Sequence, residues 1–244
     1  VTIIASVAKR FHVEQVRVGR QILVAEESRH AHTVMRLRAG DAVEVFDAAG
    51  AWAAAAIVAS SPEAVEVEVA EVQAAPAEAL KLSVASAVPK GQRADWLVEK
   101  LAEVGVDEFV PLQTARSVVH PEGAGKLQRW ERLAAEAAKQ SRRIGSMLIR
   151  PLTPLSGFLN ATPRPLWHFS TAGRAAGLAM ALAAAGSPGQ LALLIGPEGG
   201  WSAEEEAQLE ARGSQAVALT ASILRIETAG IVAAGAVRSF FRAP

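Results

Sequence analysis

Leu191-Ala192-Leu193-Leu194-Ile195-Gly196-Pro197-Glu198-Gly199-Gly200-Trp201-Ser202 is the stretch on which the reading of this chain turns. Its apolar first half reads as a strand, and Gly196, Gly199 and Gly200 open a loop directly behind it. Ser202, with Glu205 three residues on, forms a capping box that starts a helix. In an open α/β sheet, the loop after such a strand is where ligands bind. Glycines let the main chain approach a ligand and present N–H groups without side-chain obstruction. Two familiar phosphate sites are excluded: no Gly-Lys-Ser/Thr follows, and the glycines miss the Gly-x-Gly-x-x-Gly spacing.

The same grammar returns downstream. Val217-Ala218-Leu219 ends a strand, Thr220-Ala221-Ser222-Ile223-Leu224 is a loop, and a helix begins near Glu227-Thr228-Ala229-Gly230. Arg225 and Glu227 stand two apart at the mouth of that loop. They are either an ion pair at a helix start or part of a site shared with the first loop.

Outward from these segments, strands are expected over residues 82–88, 109–112, 166–169, 191–195 and 216–219. Helices are expected over 94–104 (closed by Gly105), 126–143, 175–185, 203–212 and 227–241. Strands alternating with helices predict a mainly parallel sheet covered on both faces. Residues 16–72 read differently. Ala42-Val43-Glu44-Val45-Phe46 and Ala64-Val65-Glu66-Val67-Glu68-Val69 alternate with period two, and turn residues separate the segments. Short strands at close spacing predict a small β-barrel, with a short helix over 26–37. Ala74-Ala75-Pro76-Ala77-Glu78 is the linker, which gives domains 1–75 and 76–244.

The 244 residues, half of them hydrophobic and a fifth charged, suit a folded chain of one large or two modest domains. The absence of cysteine removes disulfides, thiolate metal sites and thiol nucleophiles, and fits a reducing cytoplasm. His30 and His32 have no third ligand at a recognisable spacing, so no metal is expected. The uncharged stretch 175–197 is broken by Gly186-Ser187-Pro188-Gly189, so no membrane span is expected, and the N-terminus shows no signal pattern. The formal net charge of zero leaves the local distribution to speak for itself. Lys126, Arg129, Arg132, Lys139, Arg142 and Arg143 outnumber Glu131 and Glu136 on one helix. They are a phosphate-binding face, or a solvated face whose last cations complement the helix dipole. Lys9, Arg10, Arg36 and Arg38, and separately Lys90, Gln92 and Arg93, are further candidates for RNA contact.

The two loops together resemble those of the RsmE family, the ribosomal RNA small subunit methyltransferases E, within the SPOUT superfamily. The family's Ile-Gly-Pro-Glu-Gly-Gly stands intact at residues 195–200. Its Leu-Gly-x-x-Ile-Leu-Arg-Thr-Glu-Thr-Ala run stands as Leu219-Thr-Ala-Ser-Ile-Leu-Arg-Ile-Glu-Thr-Ala229. Lys9-Arg10-Phe11-His12-Val13, His30-Ala-His-Thr-Val-Met-Arg36, Pro89-Lys90-Gly91, Glu99-Lys100-Leu101, Trp130 and Gln140-Ser141-Arg142-Arg143 extend the resemblance over nearly the whole chain. Thr220 replaces the usual Gly, Ser222 a common Arg or Pro, and Ile226 a common Thr. A positive φ at Thr220 would be strained.

The resemblance implies an α/β fold: a C-terminal SPOUT methyltransferase domain tied in a trefoil knot, and a small N-terminal PUA-like β-barrel that binds RNA. It implies that S-adenosyl-L-methionine (SAM) is held by three loops. Their residues here are Ser170 and Thr171; Ile195, Gly196, Gly199 and Gly200; and Leu219, Ser222, Ile223 and Leu224, with Thr228 and Ala229 behind them. It implies a cytoplasmic homodimer that methylates N3 of a uridine in 16S ribosomal RNA, within the 30S subunit. Arg225 suits the stabilisation of the uridine anion, and Glu227 or Glu198 the acceptance of its proton. A SPOUT enzyme acting on ribose 2′-oxygen or on tRNA, and a non-catalytic RNA-binding assembly factor, are the alternatives.

Overall fold

A computed structural model describes residues 9–47, 50–74, 80–121, 123–141, 143, 145–162, 165–171 and 175–241. The chain forms two compact units, Val1–Ala77 and Glu78–Pro244. Most of the expected linker, and the expected boundary within it, lie outside the described residues.

The first unit contains β1 (Lys9–His12), β2 (Gly19–Ile22), α1 (Ala25–Arg29), a π-helical turn (His30–Val34), β3 (Ala42–Phe46), β4 (Ala51–Ser60), β5 (Val65–Val69) and β6 (Gln73–Ala74). The strand order is β1-β3-β4-β5-β2, with β6 paired to β4. Alternation buries Val43 and Val45 of β3 with Val65, Val67 and Val69 of β5 in one apolar core. The helix expected over 26–37 is shorter. Its backbone leaves the helical path at Arg36, whose φ of 53° makes it the only non-glycine residue with positive φ among those described.

The second unit runs β7 (Lys81–Ser86), α2 (Gln92–Glu103), β8 (Glu108–Gln113), α3 (Ala124–Gln140), β9 (Leu148–Ile149), β10 (Thr153–Pro154), α4 (Leu155–Ala161), β11 (Leu166–Phe169), β12 (Ala176–Gly177), α5 (Leu178–Ala184), β13 (Gln190–Ile195), α6 (Ala203–Ala211), β14 (Gln215–Ala218) and α7 (Ile226–Phe240). The strands lie in the order β10-β8-β7-β13-β11-β14-β12, with β9 beside β8. Every pairing in this sheet is parallel. The period-two pattern of β13 explains its cover. Leu191, Leu193 and Ile195 enter a core with residues of α2, α3, α5 and α7. Ala192 and Leu194 enter the opposite core with residues of α4 and α6. Both faces are therefore sealed by helices, as β-αβ alternation requires.

Two expected helices are corrected. The one over 175–185 begins only at Leu178, because Ala176 and Gly177 pair with Val217 and Ala218 of β14 as a short strand. The one over 126–143 stops at Gln140; Ser141 ends it, donating its N–H to Ala137 at 2.9 Å and its hydroxyl to the same carbonyl at 2.8 Å. Gly105 has φ 93° and closes α2 as expected. Among the described residues no helix is long and apolar enough to cross a membrane.

Candidate active site

Three strands end side by side. Phe169 of β11 is in register with Ile195 of β13 and with Val217 of β14. Register, not sequence proximity, therefore brings the three following loops to one sheet edge. They enclose a cavity of about 420 Å³, within the size range of small-molecule sites. The first loop contributes Phe169, Ser170 and Thr171. The second contributes Ile195, Gly196, Pro197, Glu198, Gly199, Gly200 and Trp201. The third contributes Leu219, Thr220, Ser222, Ile223 and Leu224, and Ile226 and Ala229 follow from the start of α7.

Each loop is held by specific contacts. The Trp201 indole donates to the Phe169 carbonyl at 3.1 Å, fastening the second loop to the first. A Cβ on Gly196 would lie 2.9 Å from Trp201 Cε2, so the indole packs where any larger residue would intrude. Gly200 has φ 71°, a left-handed backbone suited to glycine. Arg116, from the loop after β8, donates to the carbonyls of Gly199 at 2.6 Å and Trp201 at 3.3 Å. Glu205 closes the capping box with Ser202 and also accepts the Ala115 N–H at 2.7 Å. In the third loop, Thr220 has no positive φ, and its hydroxyl donates to the Ser222 carbonyl at 2.7 Å. The residue that breaks the family pattern thus sits in ordinary backbone geometry.

The charged groups are arranged differently from the sequence expectation. Arg225 caps α7, is exposed and does not itself line the cavity; its carbonyl accepts from the Ala229 N–H, but its side chain makes no hydrogen bond or ion pair with a described residue. Leu224 and Ile226 on either side of it line the cavity. The Arg225–Glu227 ion pair is absent. Glu227 is 4 % exposed, lies outside the cavity lining and pairs with Arg93 Nη1 at 3.4 Å. Arg93 Nη1 also lies 3.6 Å from Glu198. Glu198 does line the cavity and has a well-exposed side chain. Thr228, expected at the cofactor, does not line it.

The expected RNA contacts divide. Arg36 and Lys90 are exposed, and Lys9 and Lys139 are partly buried. Arg10 is largely buried: its side chain is 8 % exposed, pairs with Glu44 at 2.6 Å and stacks over Phe46. Arg143 is likewise largely buried, with 10 % exposure and an ion pair to Asp107 at 2.5 Å. Arg93 is engaged by the two glutamates, and Arg142 lies outside the described residues. On the same helix, Lys126, Arg129 and the Trp130 indole all converge on Asp95 at 2.7, 2.9 and 2.8 Å. Burial works against ionisation of Asp95, but these donors outweigh it and hold its carboxyl below the usual value. Two of the six basic residues, Lys126 and Arg129, are thus spent on packing α3 against α2, while Arg132 stays exposed. His32 Nδ1 contacts the Ser60 hydroxyl at 2.9 Å, and no group of three or more potential metal ligands occurs among the described residues.

Trp201, Arg116 and Arg93 were not read from the sequence in these positions. Trp201 had a local signal, a bulky ring directly after two glycines. Arg116 and Arg93 had none, since their partners are far along the chain. Chemically, the cavity offers a main-chain-rich wall with small hydroxyls for a mixed polar and apolar ligand, beside one uncompensated guanidinium able to stabilise a nearby anion.

Comparison with known proteins adds the following. The RNA methyltransferase domain family matches residues 76–238, and the RNA methyltransferase PUA domain family matches residues 24–70. The chain is 31 % identical over 229 residues to ribosomal RNA small subunit methyltransferase E of Mycobacterium bovis, covering 88 % of this chain and 85 % of that protein. It is 32 % identical to the protein of the same name from Synechocystis, covering 90 % and 73 %. The crystal structure of ribosomal RNA small subunit methyltransferase E from Neisseria gonorrhoeae bound to S-adenosyl methionine aligns with a TM-score of 0.83. There the identity is 28 %, covering 95 % of this chain and 97 % of that one.

Proposed function

Because this chain belongs to the ribosomal RNA small subunit methyltransferase E family, we propose that it methylates N3 of a uridine in 16S ribosomal RNA, with SAM as methyl donor. The observation that carries this reading is the cavity at three in-register strand ends, with unpaired Arg225 between two of its lining residues. The residues there fit the cofactor. Gly196, Gly199 and Gly200 bring main chain to the cavity wall, Leu219 and Leu224 supply an apolar wall, and Ser170, Thr171 and Ser222 offer hydroxyls. When bound, SAM supplies an electrophilic methyl group.

The protein's own task is at the uridine. N3 becomes a good nucleophile only after losing its proton, and the resulting charge spreads over two carbonyl oxygens. Arg225, between the lining residues Leu224 and Ile226, is the cation to which we assign that charge. A fixed donor in a water-poor site lowers a barrier by roughly 3–4 kcal/mol. Glu198 lines the cavity, as Glu206 does, and from the glycine loop it is a carboxylate suited to take the proton, whereas Glu227 is buried outside the lining. Lining the cavity with loops on rigid strands holds the reactants in place, which contributes in its own right.

Four further features belong to this reading. The second unit is tied in a trefoil knot, a known exception to unknotted topology. The first unit is a PUA-like barrel that contacts the RNA within the 30S subunit. The domains divide near residue 75, and the enzyme works as a cytoplasmic homodimer. The decisive experiment is nucleoside analysis of ribosomal RNA from cells lacking the protein. Loss of 3-methyluridine, restored by the wild-type chain, is expected; a methyl missing from ribose or from tRNA instead would replace this reading. The Arg225→Ala enzyme is expected to bind SAM in calorimetry with normal affinity and to lose at least about 100-fold in kcat. Unchanged turnover would remove Arg225 from the mechanism.

A further inference from the structure

Arg93 reaches the cavity region from an element the two signature loops do not include. It lies in the first turn of α2, which follows β7, and β7 ends in register with β13, with Ser86 opposite Ile195. The same sheet edge therefore presents Arg93 beside the glycine loop. Its Nη1 is the shared partner of Glu227, 3.4 Å away, and Glu198, 3.6 Å away. Glu227 depends on that contact. Its side chain is 6 % exposed, and its second carboxylate oxygen, Oε2, is buried with no hydrogen-bond partner. A buried carboxylate takes whatever cation is within reach. Arg225 stands two residues away in sequence, yet it pairs with nothing described.

We infer that Arg93 is a positioning residue: it occupies Glu227 and thereby keeps Arg225 uncompensated for the anionic base. The inference rests on the role proposed above for Arg225. A guanidinium already paired with a carboxylate presents little net field to a second anion, because the two opposite charges nearly cancel at the distance of the substrate. With Arg93 in place, the charge of Glu227 is paired from the α2 side, outside the cavity lining. Without it, the only other cation at the start of α7 is Arg225, and the buried carboxylate draws on it. Arg93 does not line the cavity and acts through the charge state of its neighbour.

The test compares the wild-type enzyme with Arg93→Ala, Arg93→Lys and the double variant Arg93→Ala/Glu227→Gln. Methyl transfer to ribosomal RNA, SAM affinity by calorimetry and thermal melting are measured for each. Arg93→Ala is expected to lower kcat by about tenfold or more while SAM affinity stays within about twofold. Arg93→Lys keeps most of the activity, since an ammonium still serves Glu227. The double variant regains most of the lost kcat although Arg93 is still missing, because the amide no longer competes for Arg225. It also removes the buried unpaired charge, so it folds even where Arg93→Ala does not. Wild-type kcat in Arg93→Ala overturns the inference. So does a double variant that melts like the wild type yet turns over as slowly as Arg93→Ala. A wild-type enzyme inactive on every RNA would strike instead at the proposed function.

Discussion

Gly196 shows how much a single atom decides at this site. The ring of Trp201 lies where a Cβ would stand, 2.9 Å from its Cε2, and the same ring donates to the carbonyl of Phe169. Gly196→Ala therefore has to push the indole out and break the tie between two loops. Overpacking of this kind costs about 1–3 kcal/mol, and the expected outcome is a lower melting temperature with SAM affinity reduced on the order of tenfold. Calorimetry that finds native affinity would show that Trp201 yields without cost. Thr220 makes the opposite case. It stands where the family usually has glycine, but its backbone has no positive φ and its hydroxyl is bonded to Ser222. Thr220→Gly removes that bond and frees the unfolded chain. It should lower stability by about 0.5–1 kcal/mol and leave SAM binding no tighter; a gain in affinity would mean that the threonine obstructs the site.

At the scale of elements, β11 carries a titratable group among apolar neighbours. His168 is 8 % exposed and its Nδ1 contacts the Ser214 hydroxyl at 2.9 Å. Burial lowers its pKa below the ordinary 6.5, and the nearby charge of Glu206 only partly opposes this. The unfolded chain therefore takes up the proton first as pH falls, so stability declines once the pH drops below about 6.5 and levels off below the folded pKa. Melting temperatures of the wild type should fall between about pH 7.5 and pH 5.5, and those of His168→Gln should fall less; parallel curves would assign the loss to other groups. The sequence made β13 legible because residues 191–195 are an unbroken apolar run, made β11 legible because only His168 interrupts its apolar residues, and made the capping box legible because its residues are three apart. It did not reveal α4, whose apolar face is only Leu155, Phe158 and Leu159, interrupted by Ser156, Gly157 and Asn160. Nor did it separate β12 from α5, since two residues carry no periodicity. The site followed the same rule. Lining loops were local and readable, whereas Arg93 and Arg116 act across the fold, and contacts fixed by register between distant strands leave no local trace.

For the whole molecule, charge that looks alike in sequence divides by burial. Arg143 is committed to Asp107, and Arg238 reaches the same carboxylate at 2.6 Å, so Asp107 holds two guanidinium groups together. Arg143→Glu should therefore lower the melting temperature, by about 2–4 kcal/mol in stability, with little specific effect on RNA. Lys90→Glu and Arg36→Glu, on exposed residues, should leave melting unchanged, weaken RNA binding and reduce its salt slope by about one each. If Arg143→Glu melts normally and flattens the salt slope, the division is reversed. The strand order has a consequence for synthesis as well. β13 lies between β7 and β11 but is made after both. As the chain leaves the ribosome, β11 has no neighbour, and β7 has only β8, until residue 195 has emerged. Two bare strand edges of this kind invite wrong partners, so the nascent protein is most vulnerable just before the glycine loop is translated. The strand that leads into the glycine loop is thus the keystone that covers both of these edges, and the far edge of β11 stays bare only until β14 follows.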